Sequence, residues 1–147
     1  IKKNCNNRIP ENKNNNEIDK KLLDNLNKNI PNLINLMNKQ NLNEYIKMVV
    51  GFSFEANKYF NDSEPWALKK NDQARMNSIL NTVTQQIKNI SILLYPIIPN
   101  SVKKVFNTIN INESDIKISN ISNQNILNYK IELKDLEILF TKIENDN

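Results

Sequence analysis

Trp66 is the single tryptophan of a 147-residue chain, and it stands directly after Pro65 and just ahead of the cation pair Lys69 and Lys70, with Arg75 beyond them. A planar ring beside positive charge is what a protein needs to stack on an unpaired nucleobase while holding the neighbouring phosphates. The same ring can equally serve as a core anchor, because buried aromatics dominate packing energetics. Both readings stand on these residues alone. Lys69, Lys70 and Arg75 are candidate phosphate contacts, against the plainer alternative of solvated surface charge.

Absent residues narrow the chemistry further. The chain has no His, one Cys (Cys5) and one Gly (Gly51). A histidine-based triad, a histidine general base, a Cys/His zinc site and a glycine-rich phosphate loop are therefore all excluded. No catalytic residue and no metal site is assigned. Cys5 cannot form an internal disulfide and reads as a bystander thiol, which fits a reducing, cytoplasmic setting. The longest apolar run, Ile92 to Ile98, contains Tyr95 and Pro96 and is too short to span a bilayer, so no membrane partner is expected. A net charge of +4 and a pI of about 9.1 favour a polyanionic partner. An opening Ile in place of Met suggests a piece of a longer protein.

The elements that must position Trp66 read as helices. Residues 1–16 are polar, with Pro10 and an Asn run, and read as the end of an upstream helix followed by a loop. Ile18, Leu22, Leu26, Ile30, Leu33, Ile34 and Met37 recur every three or four residues and predict a first helix over Glu17 to Lys39, kinked at Pro31. Asn41 caps a second, with Leu42, Tyr45, Ile46, Val49, Ser53, Ala56 and Phe60 on its inner face; the small residues Gly51, Ser53 and Ala56 predict a close helix neighbour. Asp62 or Ser63 would cap a short helix begun by Pro65. Asp72 caps a long helix carrying Met76, Ile79, Leu80, Val83, Ile87, Ile90 and Leu94, which Pro96 and Pro99 end. The apolar corner from Tyr95 to Pro99 would plug one end of a bundle. Ser101 opens a fourth helix with Val102, Val105, Phe106 and Ile109 facing inward. The expected division is 1–16, a helical bundle over 17–110, and an irregular C-terminal extension over 111–147, packing back on the bundle or on another part of a longer protein, with a short extended or helical piece from Glu137 to Glu144.

Four stretches in this order resemble the anticodon-binding domain of bacterial methionyl-tRNA synthetase, a class I aminoacyl-tRNA synthetase. They are Ala56-Asn57-Lys58-Tyr59; Pro65-Trp66 with Leu68; Leu93-Leu94-Tyr95-Pro96-Ile97-Ile98-Pro99; and Leu139-Phe140-Thr141-Lys142-Ile143-Glu144. The last departs from the family's Leu-Phe-Pro-Arg-Ile-Glu at Thr141 and Lys142. The resemblance implies an all-α helical bundle of the class I synthetase anticodon-binding type. It gives Trp66 the role of stacking on the first anticodon base, a cytosine, and makes Asn57, Tyr59 and Pro65 scaffold for that turn. The implied partners are the anticodon loop of tRNA(Met) and the catalytic domain of the same chain. The family's base-reading Asn and Arg would lie upstream of Ile1. ATP and Mg2+ would belong to the catalytic part, whose His-Ile-Gly-His and Lys-Met-Ser-Lys-Ser signatures are absent here, so this chain alone is expected to be non-catalytic. Two competing classes remain on the residues: a basic helical RNA binder indifferent to the anticodon, and a protein adaptor using Trp66 and Tyr59 as an interface hot spot.

Overall fold

The computed structural model describes residues 1, 5–12 and 15–141. Among the described residues the chain is all-helical: α1 (Glu17–Asn38), α2 (Leu42–Ser63), the single turn α3 (Pro65–Leu68), α4 (Gln73–Leu94) and α5 (Pro99–Thr108), followed by three short 3-10 turns. α4 is the axis. It packs against α1, α2, α3 and α5, and α1 and α2 pack on each other.

Local chemistry explains the ends of these helices. Asn16 and Asp19 form a reciprocal capping box at the start of α1: the Asp19 N–H donates to Asn16 Oδ1 at 3.0 Å and the Asn16 N–H to Asp19 Oδ2 at 3.2 Å. α1 stops in a Schellman motif, where the Gln40 N–H donates to the Met37 carbonyl and the Asn41 N–H to that of Leu36. α5 ends the same way, through Asn110 to Asn107 and Ile111 to Phe106. Gln40 (φ 57°) and Asn110 (φ 56°) thus hold left-handed positions that glycine usually fills. Asp72 caps α4, accepting from the Arg75 N–H at 2.9 Å.

Several expectations change in detail. α1 continues through Pro31 as one helix rather than splitting there, but its inner stripe is rotated: Asp19, Leu22, Leu23, Leu26 and Leu33 are buried while Ile18 and Ile34 face solvent. α2 buries Phe52 and Tyr59, with Phe60 only half-buried and Leu42 exposed. Gly51 faces open space rather than a close helix neighbour. α3 is preceded by Glu64 in the left-handed region (φ 41°), with no side-chain cap from Asp62 or Ser63; Asp62 instead pairs with Lys58 at 2.7 Å. α5 begins at Pro99, so Ser101 lies inside it. Residues 5–12 hold a turn and an isolated bridge, Arg8 to Glu132, where the sequence suggested the end of a helix.

The main core runs from Ile9 through Leu26, Val49, Phe52, Leu93 and Phe106 to Ile121 and Leu127, so the segments flanking the bundle share its interior. Tyr95, Ile97 and Ile98 pack against it at the expected corner. α4 is buried on nearly every side, polar residues included. Asn81 Nδ2 donates to the Pro10 carbonyl (2.7 Å), Gln85 Nε2 to Asn81 Oδ1 (2.6 Å), and Lys88 Nζ to the carbonyls of Asn120 (2.9 Å) and Asn123 (2.8 Å). These bonds offset the desolvation of the groups that make them. Beyond the 3-10 turns the chain returns along α5: the Lys134 N–H donates to the Thr108 carbonyl, Ser101 Oγ to that of Leu139 and Lys104 Nζ to that of Ile138. The expected final piece continues to Glu144; Lys142, Ile143 and Glu144 lie outside the described residues.

Candidate nucleic-acid interface

Trp66 sits on one helical turn held at both ends. Pro65, first in α3, is buried, and Leu68 packs into a small cluster with Leu22, Tyr59 and Ile79. Positions 65 and 68 face inward, which turns 66, 69 and 70 outward together, at the i, i+3, i+4 spacing of one helix face. Trp66 is 55% exposed, and Lys69 and Lys70 are exposed beside it with no ion pair among the described residues. The core-anchor reading of Trp66 is therefore set aside. Its aromatic neighbour is Phe60, 5.8 Å away between centroids at an interplanar angle of 66°. One edge-to-face partner occupies at most one face of the indole, leaving π surface for a base.

Glu64 precedes this turn at φ 41° and ψ 53°. That region costs a non-glycine residue of order 1–3 kcal/mol, and is doubly disfavoured before proline. Burial of Pro65 and packing of the partly buried Leu68 hold the backbone there.

Behind the turn lies a network that periodicity did not reveal. The Asp19 carboxylate is fully buried and accepts from Arg75 Nη1 (2.6 Å), Arg75 Nη2 (2.8 Å) and the Tyr59 hydroxyl (2.6 Å). Burial alone would raise its pKa; hydrogen bonds from Arg75, Tyr59 and the Asn16 N–H, with the charge of Arg75, more than offset that and hold it below the ordinary carboxylate value. Burial and the same carboxylate push the Tyr59 hydroxyl well up. One sequence signal for Asp19 was available, the Asn16-to-Asp19 capping-box spacing; nothing local marked Arg75 or Tyr59 as its partners.

The site residues thus divide. Trp66, Lys69 and Lys70 come together on one exposed face. Arg75, expected as a phosphate contact, has its guanidinium engaged in a two-point pair with Asp19, and its side chain is 23% exposed. Tyr59 and Pro65, expected as scaffold, are both buried beneath the turn. Asn57, expected to do likewise, is exposed, and its side chain makes no hydrogen bond among the described residues. Among those residues no group of His, Cys, Asp or Glu side chains is placed to hold a metal ion, and no helix is long and apolar enough to cross a membrane.

Residues 9–147 match the model of a family described as the anticodon binding domain of methionyl tRNA ligase. Methionine–tRNA ligase of Brucella suis biovar 1 is 33% identical over 105 residues, which cover 71% of this chain and 20% of that protein. The enzyme of Ureaplasma parvum serovar 3 is 31% identical over 126 residues, 85% of this chain and 24% of its own length. That of Rickettsia felis is 29% identical over 111 residues, 76% and 22%. The chain spans about a fifth of the length of these relatives. The crystal structure of free-state Mycobacterium tuberculosis methionyl-tRNA synthetase superposes with a TM-score of 0.87 over 98% of this chain and 29% of that one, at 20% identity, a likeness of fold.

Proposed function

The chain belongs to the family of methionyl tRNA ligase anticodon-binding domains, and from that premise we propose that it recognises the anticodon loop of tRNA(Met) through Trp66. The observation that carries the reading is the exposed indole on a buried footing, with Lys69 and Lys70 on the same face. Trp66 stacks on the first anticodon base and the two lysines hold flanking phosphates. Stacking contributes about 1–3 kcal/mol per base and distinguishes bases poorly. We assign Arg75, Tyr59 and Pro65 to positioning: they fix the turn from which Trp66 projects.

In a longer protein of the relatives' kind, anticodon binding by this part would be a condition for correct placement of the tRNA acceptor end, a coupling between two sites. Methionine attachment, with its ATP and Mg2+, falls to the catalytic part outside this chain, in the cytoplasm. Within this chain the bundle over 17–110 carries recognition, and the described part of the extension, residues 111–141, braces it.

Trp66 is the chain's sole indole, so its fluorescence reports directly on the site. Titration with a CAU anticodon stem-loop is expected to quench it, and a loop with its first base changed to do so more weakly. Trp66→Ala is expected to lower affinity at least about fivefold, the low end of one stacking contact, with helicity unchanged. Equal quenching by both loops, with affinity falling steeply with salt, would replace the proposal with anticodon-indifferent RNA binding. No binding at low salt would leave the adaptor reading.

A further inference from the structure

α4 carries an inner stripe of Ile79, Val83, Gln86, Ile90 and Leu93, at the three- and four-residue spacing of one helix face. Ile79 and the partly buried Val83 belong to the small cluster with Leu22, Tyr59 and Leu68 beneath the Trp66 turn, whereas Ile90 and Leu93 belong to the main core. Gln86 is the polar member of the stripe and stands between the two. It is 0% exposed, and neither its Oε1 nor its Nε2 has a hydrogen-bond partner among the described residues. One turn on, Asn89 is 1% exposed. Its Oδ1 accepts from the Ser122 N–H at 3.2 Å, while its Nδ2 is unpartnered among those residues. The Ser122 bond fixes which way the Asn89 amide points, so its unpaired group is the NH2. For Gln86, exchanging N and O leaves the same donor and acceptor unpaired.

These atoms define what satisfies them. Residues three apart on a helix have Cβ atoms about 5–6 Å apart, and two hydrogen bonds of about 2.9 Å through one bridging oxygen span a similar distance. A cation would be repelled by the two NH2 groups, and an anion by Gln86 Oε1. Water accepts two hydrogen bonds and donates two, so it matches both kinds of group. Internal waters make about three hydrogen bonds to groups the protein leaves unpaired, the number on offer here.

We propose that Gln86 and Asn89 hold an internal water at the seam between the two apolar clusters. Its oxygen accepts from Asn89 Nδ2 and Gln86 Nε2, and one of its hydrogens is donated to Gln86 Oε1. The site is independent of the anticodon reading and uses none of its residues.

The test is the nuclear Overhauser effect between bulk-exchanging water and side-chain NH2 protons in the isotope-labelled 147-residue chain. The Gln86 and Asn89 amides are expected to show cross-peaks of the sign given by a long-lived water, and the exposed Asn57 amide, as control, to show none. Gln86→Leu keeps the size and continues the apolar stripe, with circular dichroism confirming the fold. It is expected to abolish the Asn89 cross-peak and to lower the urea midpoint, since it strands the Asn89 NH2 without its water. Absence of both cross-peaks in wild type overturns the proposal. So does a higher urea midpoint for Gln86→Leu, the result expected when a buried amide with no partner is replaced by an apolar side chain. An Asn89 cross-peak that persists in Gln86→Leu also overturns it, by showing a water held without Gln86.

Discussion

Two buried charges of opposite sign are stabilised in different ways, and pH separates them. Asp19 is paired and hydrogen-bonded, with its pKa depressed. Its contribution is therefore complete above the ordinary carboxylate pKa of about 3.9 and is lost as pH falls through the lower folded value. Asp19→Ala is expected to cost about 3–5 kcal/mol at neutral pH, since it strands a partly buried guanidinium; urea denaturation measures this. Asp19→Asn should flatten the acid limb of stability against pH. Lys88 is the opposite case. It is fully buried on two carbonyls with no ion-pair partner among the described residues, and burial pushes its pKa down to about 8. Over the window from about 8 up to the unfolded value of about 10.4 the unfolded chain binds the proton more tightly. The Lys88 contribution to stability thus rises with pH across that window, and a neutral amine still has hydrogens for both carbonyls. The urea midpoint of wild type relative to Lys88→Met is expected to climb across it; a constant difference would show that Lys88 titrates normally in the fold.

At the scale of elements, the scarcity of glycine has a measurable cost. Gln40 occupies the left-handed position ending α1, where a side chain costs roughly 1–2 kcal/mol. Gln40→Gly is expected to stabilise the fold by about 1 kcal/mol after the entropy of the added glycine is counted, read as a higher urea midpoint. Helix number and order, and the caps of α2 and α4, were legible in the sequence because capping residues and apolar spacing act over a few positions: Asn41, Pro65 and Asp72 all do what their types predict. The rotation of α1 was less legible. Asp19 is buried by residues 40 and 56 positions away, and a charged side chain breaks an apolar stripe. The polar interior of α4 was hidden for the same reason, since Asn81 and Lys88 are satisfied by Pro10, Asn120 and Asn123, carbonyls that no periodicity announces. The segment carrying Trp66 was read as a short helix begun by Pro65, as α3 is; that its indole stays outside follows from Pro65 and Leu68 going in.

At the scale of the molecule, the two ends of the described chain are tied together. The Leu133 N–H donates to the Asn7 carbonyl at 2.7 Å, and Asn7 Nδ2 donates to the Leu133 carbonyl at 2.9 Å, beside the antiparallel bridge from Arg8 to Glu132. Asn7→Ala is expected to cost about 1–2 kcal/mol, from the lost hydrogen bond and from a methyl side chain at φ 58°. Hydrogen exchange at the Leu133 amide should accelerate while exchange in α4 stays slow. The direction of this clasp matters for load. Because the two segments run antiparallel, the incoming chain and the outgoing chain leave it on the same side. Tension between them peels its hydrogen bonds one after another, as a zipper opens, instead of shearing them all at once. Tension from the C-terminal side meets the bonds of Leu139, Ile138 and Lys134 to α5 before it reaches this clasp, so the helices that carry Trp66 feel little of it until both have parted.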